Sequence, residues 1–128
     1  MSITTEDLAR LFDAFNRHDI DAIMAFFAED CTFDAVAGPE AYGTRFTGRS
    51  AIAAAFSGVW TAMPDAHWAH HSHLVQVDRA VSEWTFSGTQ ADGTRIEADG
   101  CDLFTLKEGQ IIRKQAFRKN RPPLAART

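Results

Sequence analysis

The chain is poor in the residues that hold unusual folds together. It has two cysteines, Cys31 and Cys101, which form neither a disulfide framework nor a metal-ligand spacing, so both are expected as free thiols in a reducing compartment. Basic charge is also short, with 13 Lys and Arg against 17 Asp and Glu and a net charge of -4. That balance, with the basic residues dispersed, excludes nucleic acid and anionic membrane as main partners. No apolar run approaches the roughly 20 residues of a membrane span, and the opening residues Ser2-Ile3-Thr4-Thr5-Glu6-Asp7 lack the basic and apolar regions of a signal peptide. A cytoplasmic protein is the expectation. No glycine-rich phosphate loop follows a strand, and Ser57, Ser72 and Ser82 lack a nucleophile elbow.

What is present suffices for one domain spanning 1–128. A chain of 128 residues, 45% hydrophobic, can bury roughly two-thirds of its unfolded surface. Repeats, low-complexity tracts and internal linkers are missing, and only the stretch from Arg121 to Thr128, with Pro122-Pro123 and no apolar pattern, reads as a loose tail.

The first half is helical in its periodicity. Thr4 or Thr5 caps a helix carrying Leu8, Leu11, Phe12 and Phe15, and Asp19 caps a shorter one carrying Ile20, Ile23, Met24 and Phe27, ending near Glu29-Asp30. Cys31 to Asp34 reads as a short strand. The segment Ala37 to Thr47 is an aperiodic surface loop in which Tyr42 and Phe46 could close over a cavity as a lid. A third helix runs from about Arg49 to Met63, with Ile52, Phe56, Val59 and Trp60 on one stripe.

From Trp68 the period changes to two. Strands are predicted over Trp68–Val77, Ala80–Gln90, Arg95–Leu106 and Gln110–Lys119, with turns at Asp78-Arg79, Asp92-Gly93 and Glu108-Gly109, an antiparallel meander. Helices first and strands last make an α+β fold. Within the third of these strands Asp102 shares a face with Ala98, Gly100, Phe104 and Leu106. A carboxylate set among apolar residues is costly unless paired, hydrogen-bonded or protonated, and function is one reason to retain it. Trp84 and Phe86 of the preceding strand lie on one face, and with Trp60 and Phe104 they suggest an apolar cavity. By parity Lys114 and Arg118 of the last strand share a face with Ile112 and Ala116. Of His67, His70, His71 and His73, no set with a nearby carboxylate or thiol makes a convincing metal site; His73 beside Leu74-Val75 is the candidate acid or base.

The motifs His18-Asp19-Ile20-Asp21-Ala22-Ile23, Phe27-Ala28-Glu29-Asp30-Cys31-Thr32-Phe33, Gly48-Arg49-Ser50-Ala51-Ile52, Ser82-Glu83-Trp84-Thr85-Phe86-Ser87-Gly88-Thr89 and Gly100-Cys101-Asp102-Leu103-Phe104, in this order and spacing, resemble the nuclear-transport-factor-2-like superfamily. More narrowly they resemble its SnoaL-like polyketide cyclase and ketosteroid isomerase branch. The resemblance implies a cone-shaped, curved, mostly antiparallel sheet wrapped around three N-terminal helices. It implies a cofactor-free acid/base enzyme, a cyclase, isomerase or hydratase-like lyase, acting on a small, largely apolar carbonyl-type substrate in an enclosed pocket. In the cyclases a Gly-x-Asp strand supplies the general base, the place of Asp102; in the isomerases an acid there serves as a protonated hydrogen-bond donor. Gln90 stands where many cyclases carry histidine, Leu11 at the isomerase tyrosine and Ala35 at its base aspartate, which argues against steroid isomerisation. On this reading Asp102, His73 and Lys114 are catalytic. Trp60, Trp84, Phe86, Gln90, Phe104, Arg118 and Tyr42 bind substrate, no metal or cofactor takes part, and the protein is a homodimer. The other reading is a non-catalytic small-ligand-binding or dimeric interaction module of the same fold.

Overall fold

The computed structural model describes residues 2–127; Met1 and Thr128, the latter part of the expected tail, lie outside the described residues. Helix α1 (Thr5–Asn16) buries Leu8, Leu11, Phe12 and Phe15. Its start is closed by a reciprocal cap: Thr4 Oγ1 accepts from the Asp7 amide at 3.1 Å and Asp7 Oδ2 accepts from the Thr4 amide at 2.9 Å. Helix α2 (Ile20–Met24) is capped by Asp19 through the Ala22 amide. It ends at Met24, short of the expected Glu29-Asp30, because strand β1 (Phe27–Asp34) claims those residues. Three bonds enforce the change. Arg49 donates to the carbonyls of Met24 and Phe27, and the Ile111 amide donates to the Phe26 carbonyl at 2.8 Å, drawing the chain into the sheet.

Strand β2 (Arg45–Thr47) lies inside the segment expected to be free loop and pairs antiparallel with β1. Helix α3 (Arg49–Ala62) follows Gly48, whose φ of +88° reverses the chain at the helix start. Strands β3 (His67–Gln76), β4 (Arg79–Thr89), β5 (Arg95–Lys107) and β6 (Gln110–Arg118) form the predicted meander.

The expected cone-shaped sheet is not what the chain forms. The fold is α+β, but its six strands make an open, mixed sheet in the order β2-β1-β6-β5-β4-β3, with β1 parallel to β6. The end strands β2 and β3 do not pair with each other. Closure has no driving force: β2 is three residues long, α3 packs on β1 and β2, and α1 packs on β3, so helices rather than strand pairing cover the inner face. Beneath them Phe12, Phe27, Phe104, Ile52 and Ile111 form a contiguous core, each such side chain contributing about 1.5–3 kcal/mol. Among the described residues no helix is long and apolar enough to cross a membrane. Past β6, Leu124 bridges back to Arg95 through two backbone bonds, so the described part of the expected loose tail is tied to β5.

Candidate functional site

Asp102 sits at the centre of β5, in register with Ser82 on β4 and Ala116 on β6, and is 0% exposed. Trp84 Nε1 donates to its Oδ2 at 3.1 Å. Lys114 Nζ stands 3.2 Å from Oδ1, an ion pair out of line for a hydrogen bond. Burial pushes the Asp102 carboxyl above the usual carboxylate range, and Lys114 and Trp84 pull it part of the way back.

Lys114 is 5% exposed. Its ammonium nitrogen lies 4.5 Å from the ring centroid of Phe33, 5.4 Å from that of Phe56 and 5.5 Å from that of Phe15, a three-ring cage whose negative ring faces attract a cation. The even-numbered parity predicted for this strand holds from Lys114 through Ala116 to Arg118, which all line one cavity. It fails at Ile112: Ile111 is the buried residue there, beyond a register shift at Thr105/Leu106.

That cavity has a volume of about 400 Å³ and is walled by Phe33, Phe46, Val59, Met63, Trp68, Trp84 and Phe86, with smaller residues of β6, α3 and the β1–β2 connection. Its size suits a small organic molecule. Two charged side chains face it, Lys114 and Arg118; Asp102 lies behind Lys114 and Trp84 and does not reach the cavity surface. The Arg118 guanidinium carbon is 5.2 Å from the Phe86 ring centroid, and burial holds its pKa below the usual guanidinium value. A neighbouring groove shares Ala35, Val36, Ala116 and Arg118 with the cavity. In it the buried Asp34 accepts from Arg45 at 2.8 and 3.1 Å and from Arg113 at 3.2 Å, and these donors hold its carboxyl below the usual range.

The structure thus brings Trp84, Phe86, Lys114 and Arg118 together around the cavity, with Asp102 one layer behind. It places the other predicted site residues elsewhere. Phe104 is wholly in the core. Trp60 stacks on the His18 ring at 4.8 Å, Gln90 donates to Thr94 in the β4–β5 turn at 3.0 Å, and Tyr42 stacks on the Arg45 guanidinium at 4.0 Å in the neighbouring groove. His73 belongs to a chain of polar groups: Asp13 Oδ1 to His70 Nε2 at 3.1 Å, His70 Nδ1 to His73 Nε2 at 2.9 Å, His73 Nδ1 to Ser82 Oγ at 2.8 Å. The chain runs from the surface to the residue across from Asp102, without touching the cavity. Among the described residues no histidine, cysteine or carboxylate cluster is arranged to hold a metal ion, and both cysteines are free.

Sequence reasoning missed Phe33, Met63 and Trp68 as cavity walls and Asp34 as a second buried acid. The signal for Asp34 was the one used for Asp102, a carboxylate next to buried aromatic sequence, Cys31-Thr32-Phe33-Asp34.

The family model for the SnoaL-like domain matches residues 8–114. The chain belongs to the SnoaL-like family. It sits in the NTF2-like superfamily, in the branch of polyketide cyclases and ketosteroid isomerase-like proteins. Among solved structures it is similar to Bal32a from a soil-derived mobile gene cassette, with 21% identity and a TM-score of 0.80 over 90% of this chain and 88% of that one. A protein from Xanthomonas campestris pv. campestris proposed to be a polyketide cyclase has 25% identity and a TM-score of 0.76, covering 88% and 87% of the two chains. An NTF2-like protein of unknown function from Mesorhizobium loti has 28% identity and a TM-score of 0.73, covering 90% and 89%. Among curated proteins none matches the SnoaL-like chain.

Proposed function

We propose that this SnoaL-like protein is a cofactor-free acid/base enzyme that moves a proton on a small, largely apolar carbonyl compound, by isomerisation, cyclisation or hydration. One observation carries the reading: a lysine paired with a fully buried acid stands at the wall of a cavity lined mainly by apolar side chains. Because Asp102 lies behind the wall, Lys114 Nζ is the atom that meets the substrate, and Asp102 is the partner that sets its proton. In this reading the Lys114 ammonium passes a proton to the Asp102 carboxylate 3.2 Å away, and Nζ then takes one from the carbon next to the carbonyl. The electron pair moves to the carbonyl oxygen as an enolate, and Nζ returns the proton at the original or a conjugated carbon. Trp84 holds Asp102 in place through its indole N–H. Proton transfer of this kind contributes on the order of a hundredfold to ten-thousandfold.

Exchange of the α-protons of a small aromatic ketone such as 2-tetralone in D2O, followed by proton NMR, tests the proposal. Exchange catalysed by the wild type and lowered to that range by Lys114→Met supports it. Equal rates in the two proteins overturn it.

A second reading, a non-catalytic ligand-binding module, is favoured by the absence of Asp102 from the cavity surface. Saturable binding without exchange is its signature.

A further inference from the structure

The charges around the cavity do not balance. Lys114 has Asp102 at 3.2 Å. Arg45 and Arg113 share Asp34. Arg118, facing the cavity and stacked on Phe86, has no carboxylate in ion-pair contact among the described residues. The cavity and the groove that opens beside it therefore carry four cationic side chains, Arg45, Arg113, Lys114 and Arg118, against two acids, Asp34 and Asp102, on a chain whose net charge is -4.

A guanidinium taken partly out of water without a counterion is costly. The Phe86 ring face meets one side of it, and the counter-charge is left to come from outside the chain, through the cavity. The geometry defines the ligand further. Arg118 stands at the border between the two recesses, since it lines both, while the space beyond it is bounded by Phe33, Phe46, Val59, Met63 and Trp68. A second negative charge pushed among those apolar walls would be desolvated with no free cation to meet it, because Lys114 is already neutralised by Asp102. A cationic ligand would sit beside two positive side chains.

We propose that the cavity takes a small apolar monoanion, an aromatic or branched aliphatic carboxylate, with the carboxylate forked on Arg118 and the hydrocarbon body against the aromatic wall. Guanidinium and carboxylate match in the planar two-bond geometry that makes such pairs strong and oriented. This rests on the reading of the cavity as a small-molecule site, and it adds the substrate class: a carbonyl compound processed by Lys114 would carry its acid group at the Arg118 end.

Titration calorimetry with an isosteric pair, 2-naphthoate and 2-naphthamide, on the wild type, Arg118→Gln and Arg113→Gln tests it. The expected result is that both molecules bind the wild type, the acid at least tenfold more tightly. That preference should vanish in Arg118→Gln and persist in Arg113→Gln. Equal affinity of acid and amide for the wild type overturns the monoanion while leaving the cavity as a binding site. A preference that survives Arg118→Gln overturns the assignment of Arg118. Binding of neither molecule overturns both the monoanion and the small-molecule reading beneath it. Thermal melting of each variant is measured alongside, and if Arg118→Gln does not fold, Arg118→Lys replaces it: a lysine keeps the charge but loses the fork, and an undiminished preference there counts against the forked pair.

Discussion

Gly100 faces Trp84 directly across the β4–β5 ladder, and a Cβ placed on it would lie 2.6 Å from the Trp84 ring and 2.3 Å from the Phe117 carbonyl oxygen. The missing side chain is what lets the indole lie against β5 and reach Asp102 with its N–H. The glycine of Gly100-Cys101-Asp102 is thus part of the site through space rather than through backbone freedom.

Gly100→Ala is therefore expected to displace the indole and destabilise the fold by about 1–3 kcal/mol, the usual cost of overpacking. Urea unfolding measures the loss, and the tryptophan emission spectrum reports the movement of Trp84. An unchanged midpoint and spectrum would show that the indole has room for the added methyl.

Asp102 and Lys114 should behave as one unit in stability. Removing one partner of a buried ion pair strands the other and costs about 3–5 kcal/mol. Asp102→Asn is expected to lower stability on that scale, because the Lys114 ammonium is left 5% exposed without its counterion. The double variant Asp102→Asn with Lys114→Met should recover most of the loss, since neither buried charge remains. A denaturant-based double-mutant cycle reads the coupling directly; additive effects would mean the two residues are neighbours without being partners.

The histidine chain predicts a pH dependence whose sign follows from burial. Burial, then the neighbouring His70, hold His73 below its ordinary pKa, with Asp13 opposing. Between that lowered value and the unfolded value of about 6.5, the unfolded chain binds more protons than the folded one, so stability falls as pH falls from neutrality through this window. Asp102 acts in the opposite sense: with its pKa raised, lowering the pH relieves the cost of its buried charge. The His73 contribution is isolated by difference. Melting temperatures of the wild type and His73→Gln should converge as the pH is lowered from 7.5 to 5.5, and parallel curves would remove His73 as the source.

How legible the molecule was depended on the range of the interactions. Elements set by local periodicity, α1 with its Thr4 cap, α3 after Gly48 and the β3–β6 meander, were readable because their signals lie within the segments themselves. What was not readable was decided by partners distant in sequence. Phe27 to Asp30 leave the helical pattern because β6 and Arg49 capture them, and Arg45–Thr47 become a strand because β1 is there to pair with. The open sheet in place of a cone has the same origin: whether end strands meet depends on global packing. At the site, parity put Trp84 with Phe86 and Lys114 with Arg118 on shared faces, the family resemblance turned the latter face towards a cavity, and all four line the cavity. Parity has no depth, however, so it could not separate the fully buried Asp102 and Phe104 from the cavity surface. It also could not show that the loop carrying Tyr42 turns that ring onto Arg45.

The outer face of the sheet carries the last prediction. Leu74, Val81 and Leu103 stand side by side across β3, β4 and β5, with Cys101 and Phe117 adjacent on β5 and β6. Leu74 is 65% and Phe117 50% exposed, while the helices pack on the inner face. Glu83 stands opposite Cys101 within this band, with Arg79 and Lys107 beyond one end and Asp99, Glu97 and Arg95 beyond the other. A second copy laid on the first by a two-fold axis would cover the band with the same apolar patch, as a symmetric dimer requires. Sedimentation at micromolar concentration is expected to show a dimer. Leu103→Glu, which places a carboxylate in the middle of the band without entering the core, should return a folded monomer. A wild-type monomer under these conditions, or a dimer untouched by Leu103→Glu, would mean that this face is not the interface.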